Sequence, residues 1–82
     1  MATLYRVDGT QEEIEVTDLK SLQKAVGGFI EVAWTNTNGK KCLLCNEDGL
    51  GQGLKFNIGV HCDFGLNLVG DCLLVKIPQE FN

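Results

Sequence analysis

The chain has 82 residues, 44% of them hydrophobic, and a single proline, which suits one folded domain with one core. Its formal net charge is −4, and its seven Lys and Arg form no stripe, which argues against a nucleic-acid binder. With neither a long apolar run nor a basic segment leading into an apolar one, the sequence predicts no membrane span and no secretory signal, hence a cytoplasmic protein.

Residues 3–7 and 13–16 alternate apolar with polar positions, the period of a half-buried strand, and Asp8-Gly9 is a turn pair between them. A β-hairpin is expected, with Leu4, Ile14 and Val16 in the core and Tyr5 exposed. Thr17-Asp18 offers a capping oxygen to a helix running from about Asp18 to Val26, in which Leu19, Leu22, Ala25 and Val26 recur at helical spacing. Gly27-Gly28 ends it.

Phe29 to Trp34 reads as a strand with Ile30, Val32 and Trp34 on one face and Phe29, Glu31 and Ala33 on the other. Asn38-Gly39 is a hairpin signal joining it to a strand over Lys41–Cys45, and Asn46-Glu47-Asp48-Gly49 forms the next turn. Residues 49–70 hold most of the glycines among scattered apolar residues, and a packed irregular segment with a short strand or helical turn is expected there. The nearly apolar stretch Asp71–Ile77 predicts a central strand covered on both faces, stopped by Pro78. The resulting fold class is α+β, a small mainly antiparallel sheet packed on one helix in the order β-β-α-β-β-(irregular)-β.

Several residues could carry chemistry. Cys42 and Cys45 have the spacing of a zinc half-site, with His61, Cys62 and Cys72 as further donors. A strand through Leu43-Leu44 would instead aim the two thiols at opposite faces, so buried free cysteines are the expectation, and no cofactor is predicted. His61 is the only histidine, and it belongs to no nucleophile–base motif, so no catalytic residue is assigned. The run Gly49–Lys55 lacks the Gly-Lys-Ser/Thr ending of a phosphate loop, although its backbone with Lys55 and Asn57 could hold a small phosphorylated ligand. Glu12, Glu13 and Glu15, with Tyr5 and Arg6 on the adjacent strand, form a candidate partner-binding edge. A homodimer through that edge is compatible with the sequence, as is a monomer.

Four pieces, Leu22-Gln23-Lys24-Ala25-Val26-Gly27-Gly28, Phe29-Ile30-Glu31, Asn46-Glu47-Asp48-Gly49 and Gly70-Asp71, occur in the order of a family that this chain resembles. That family is a domain of unknown function found in short proteins of bacteriophages and mobile elements. The resemblance implies such an origin and transfers no activity. It singles out Glu31, Asn46, Glu47, Asn57 and Asp71 as polar positions that the core does not explain; with Lys55 they are the candidate ligand- or partner-binding set. The expected function is therefore non-enzymatic: stoichiometric binding and inhibition of a host protein, such as a component of antiviral defence. A small-molecule or nucleotide-binding module using residues 49–59 and a zinc module are the alternatives.

Overall fold

The structure is a computed structural model in which residues 2–36 and 39–76 are described. Its elements are β1 (Ala2–Tyr5), β2 (Gln11–Ile14), α1 (Leu19–Val26), β3 (Ile30–Thr35), β4 (Lys41–Asn46), α2 (Ile58–Phe64) and β5 (Cys72–Lys76). The strands form one sheet in the order β2-β1-β5-β4-β3, with all four neighbouring pairs antiparallel.

Strand alternation divides the core in two. Ala2, Leu4, Cys42, Leu44, Leu73 and Val75 point to one face, where Leu22 and Val26 of α1 cover them and Ile14, Val16, Ala25 and Ile30 close the sides. Tyr5, Leu43, Cys45 and Cys72 point to the other, under Val60 and Phe64 of α2. Two helices, one per face, thus replace the single helix expected from the sequence. Each fully buried leucine contributes roughly 1.5–3 kcal/mol relative to exposure. β5 lies in the middle of the sheet, as its apolar composition predicts; Ile77 and Pro78 lie outside the described residues, as does Asn38.

The termini of α1 follow from local chemistry. Asp18 Oδ1 accepts from Ser21 N at 2.9 Å, and Ser21 Oγ accepts from Asp18 N at 3.2 Å, so two orphan donors are satisfied reciprocally. Gly27 sits at φ 81°, the left-handed cap, and its N–H returns to Gln23 O. Leu19, expected on the apolar face, is instead exposed, because the buried pair one turn apart is Leu22 and Val26.

α2 lies in the segment expected to be irregular. Asn57 caps it by accepting from Val60 N, and Gly65 closes it. β3 also departs from simple alternation: Val32 pairs with Leu44 and Trp34 with Leu43, so Ala33 is a bulge. The extra residue moves Trp34 off the face of Ile30 and onto the α2 face, where its ring meets Phe64 at 5.0 Å. Tyr5 is likewise buried, not exposed; its ring packs edge-on against Phe64 at 5.6 Å.

Candidate functional site

The end of the sheet where β4 finishes and β3 and β5 begin gathers most of the candidate polar residues. Asn46, the last residue of β4, is the hub. Its amide donates to Val26 O at 3.3 Å and to Gln52 Oε1 at 3.2 Å, while Oδ1 accepts from Asp48 N at 2.8 Å. With both ends of its side chain committed, a nearly buried amide is tolerated, and it ties the end of α1 to the 47–53 turn. Gly28 must lack a side chain here, since a Cβ would come 2.9 Å from Asn46 Nδ2.

Grooves open around this hub. One, of about 910 Å³, is lined by Gln23, Phe29, Ile30, Glu31, Glu47 and Asp48, among others. A smaller one, of about 180 Å³, shares Glu31, Glu47 and Asp48 and adds Cys45 and Leu50. No Lys, Arg or His lines either, so the surface is acidic. A third groove, of about 420 Å³, lies on the other side of Asn46 and brings Lys24 and Lys55 together with Gln52 and Asp71. The sequence-derived set Glu31, Asn46, Glu47, Lys55 and Asp71 is therefore assembled at one end of the molecule.

Asn57 is not part of that surface. It has no accessible area, and its amide donates to Tyr5 O at 2.8 Å and Gly70 O at 2.9 Å while Oδ1 caps α2. Asp71 is half committed: its Oδ1 accepts from Val7 N at 2.9 Å, and Arg6 lies 4.0 Å from Oδ2.

The β2 edge is arranged differently. Arg6 pairs with Glu12, which keeps its guanidinium pKa above the ordinary value. Glu13 accepts from Thr3 Oγ1, Gln11 reaches Asp63 at 3.5 Å, and Glu15 is exposed just past the strand. Asp8 accepts from Thr10, which holds its carboxyl below the usual range.

The cysteines do not converge. Cys42 is buried on the α1 face and Cys45 on the α2 face, as strand alternation requires, so the zinc half-site is not assembled. Among the described residues no three His, Cys, Asp or Glu side chains are grouped to hold a metal ion. Cys72 is buried beside Cys45, and burial, then Cys45 and Asp71, pushes its thiol up to about 12. Cys45 moves in the same direction through burial and the neighbouring Glu31. Cys62 is exposed on α2. His61 is exposed too, its Nδ1 3.1 Å from Asn67 Oδ1 and its ring 5.5 Å from Phe56.

Sequence reasoning missed Phe29, Val32, Leu50 and Leu19 as a surface. All are exposed: Phe29 follows Gly28, Val32 is on β3, Leu50 is in the acidic turn, and Leu19 opens α1. The available signal was the apolar side chain at each end of Ile30-Glu31, on a strand that the pattern does not place in the middle of the sheet. No helix among the described residues is long and apolar enough to cross a membrane.

A family model described as a domain of unknown function (DUF3846) matches residues 1–82. Neither the curated proteins nor the solved structures give a match.

Proposed function

Because the chain belongs to the DUF3846 family along its whole length, and that family's description assigns no activity, we propose from the surface alone that the protein is a non-enzymatic binding protein. It acts by stoichiometric association with a host protein in the cytoplasm, in the manner of phage and mobile-element products that inhibit a component of antiviral defence.

The observation that carries this reading is the contrast between the two edges of the sheet. β2 is four residues long, and Glu12 and Glu13 are tied to Arg6 and Thr3, which is how natural proteins blunt an edge against unwanted pairing. β3 instead shows Val32 at 57% exposure, with Phe29 at 69% immediately before it. Exposed apolar side chains on an unpaired edge mark a surface meant to be covered.

The test compares tagged wild-type protein with Val32→Lys in host lysate. Retention of one stoichiometric protein by the wild type and its loss from the variant, with loss of any anti-defence effect in a plaque assay, is the expected result. Equal recovery by both, or no recovery by either, overturns the reading.

A second reading, a small-ligand binder, is favoured by Lys24 and Lys55 in one groove, neither of them in an ion pair among the described residues. It expects a phosphorylated metabolite to raise the melting temperature and Lys55→Ala to abolish that shift.

A further inference from the structure

We infer that the free edge of β3 takes an extended, basic segment of another protein as a sixth strand of the sheet, its backbone bonding to Ile30 and Val32 and its Lys or Arg side chains meeting Glu31, Glu47 and Asp48. This rests on the binding reading above and names the partner's chemistry.

The backbone argument starts from one hydrogen bond. Glu47 N donates to Phe29 O at 3.0 Å, so the Phe29 carbonyl turns toward β4 and the 29–47 position takes the hydrogen-bonded phase at the start of the β3–β4 ladder. In an antiparallel ladder such pairs alternate with non-bonded ones. Glu31, opposite Cys45, then turns its N–H and C=O toward β4, whereas Ile30 and Val32, opposite Asn46 and Leu44, turn theirs outward. β3 is last in the sheet order, so among the described residues those outward groups face no further strand. The bulge at Ala33 breaks the ladder beyond Val32, which confines regular pairing to this stretch.

The side chains set the partner's pattern. Val32 shares the α1 face with Ile30. Leu19 and Gln23 stand one turn apart on a single flank of α1, and Gln23 lines the large groove with Phe29 and Ile30, so that flank borders β3. Among the described residues, four of the six exposed large hydrophobics lie on or near this edge: Val32 on β3, Leu19 on the neighbouring flank of α1, and Phe29 and Leu50 in the grooves that hold Glu31. Glu31 alternates to the opposite face, toward Cys45. A strand laid along the edge thus meets Val32 and the Leu19 flank of α1 on one face, and on the other the carboxylates of Glu31, Glu47 and Asp48 with Phe29 and Leu50 beside them; strand addition gains affinity from backbone bonds and selectivity from such alternate side chains.

Charge selects a basic partner over a second copy. Edge-to-edge pairing of two copies would bring together two sets of Glu31, Glu47 and Asp48 in chains that each carry −4. A segment alternating apolar and cationic residues meets the same carboxylates with opposite charge.

The probe is a capped synthetic peptide, Lys-Val-Lys-Val-Lys-Val, added to the full-length protein, with Glu-Val-Glu-Val-Glu-Val as control. Amide hydrogen exchange is read residue by residue. The expected result is slowing of the Ile30 and Val32 amides by at least about tenfold at saturation, with Glu31 unchanged because its N–H already turns toward β4. The effect should fall with added salt and be lost in Glu31→Lys. The inference is overturned if the acidic peptide protects equally, if protection appears elsewhere, or if the Ile30 and Val32 amides slow with protein concentration alone, which would assign the edge to a second copy. If the peptide protects nothing while Val32→Lys still loses a captured partner, only this inference falls. If that capture also survives, the binding reading falls with it.

Discussion

The Asn57 side-chain amide donates to the Tyr5 carbonyl at 2.8 Å, joining the first turn of α2 to the end of β1 across 52 residues of sequence. The same amide reaches Gly70 O, and its oxygen takes the Val60 N–H, so one buried side chain satisfies two carbonyls and a helix terminus. Asn57→Ala removes all three bonds and, among the described residues, leaves Gly70 O only the Cys72 thiol at 3.5 Å. A loss of about 2–4 kcal/mol in urea unfolding is expected. Asn57→Asp should be worse still, because it keeps the cap but sets a buried carboxylate against two carbonyl oxygens. A substitution that shifts the midpoint by less than about 1 kcal/mol would show that water replaces the amide.

The thiols predict a stability profile in alkali. Burial raises Cys72 to about 12, and Cys45 moves up with it. A group with a raised folded-state pKa contributes its stability in full below its unfolded value, here about 8.5–9, and loses it as pH climbs toward the folded value. Stability should therefore decline from about pH 9 upward, as the unfolded thiols ionise and the folded ones stay neutral. Cys72→Ala should lower stability at pH 7 yet flatten that decline. In the same experiments iodoacetamide should modify Cys62 in the folded protein and reach Cys42, Cys45 and Cys72 only on unfolding. Fast native labelling of Cys72 would contradict its burial.

Two glycines allow strain and collision to be separated. Gly65 and Gly70 have φ of 70° and 78°, a region costly for any residue with a Cβ. Among the described residues nothing lies within 4 Å of a Cβ at Gly65, whereas one at Gly70 would come 2.7 Å from Leu54 Cδ1. Both alanine variants should lose about 1–2 kcal/mol from backbone strain. Gly70→Ala should lose more, the excess reporting how far Leu54 can move, and Gly70→Ala with Leu54→Ala should remove that excess in a double-mutant cycle.

How much of this was legible in the sequence differs from one element to the next. α1 was readable because Asp18, Leu22, Val26 and Gly27 supply a cap, a buried stripe and a stop within one short window. α2 was hidden by its brevity and by Gly59, although Asn57 and Gly65 bracket it as an N-cap and a C-cap do. The face of Trp34 was illegible, since a bulge inserts one residue without changing composition, and alternation counted straight through Ala33 gives the wrong side. Glu31, Asn46 and Glu47 come together because their strands pair in register, which the turn at Asn46 hinted at. Asn57 resembles its polar neighbours in sequence, and only the Tyr5 and Gly70 carbonyls reveal that it is internal.

The bulge at Ala33 gives the last prediction. Val32 opposes Leu44 and Trp34 opposes Leu43, so deleting Ala33 would leave those pairings intact and straighten β3. Trp34 would keep its place against Phe64, and as the only tryptophan its fluorescence should stay that of a packed ring. The lost contact of Ala33 with the α2-side core should cost about 1 kcal/mol. Bulges protect sheet edges by bending them away from regular pairing. The deletion should therefore lengthen the pairing-competent edge and let two copies associate, most visibly at high salt, where repulsion between the Glu31 carboxylates is screened. Sedimentation of the deletion variant and the parent chain at matched concentrations in low and high salt measures this directly. A variant that stays folded and sediments like the parent under both conditions would mean that charge alone, not the bulge, keeps the β3 edges apart.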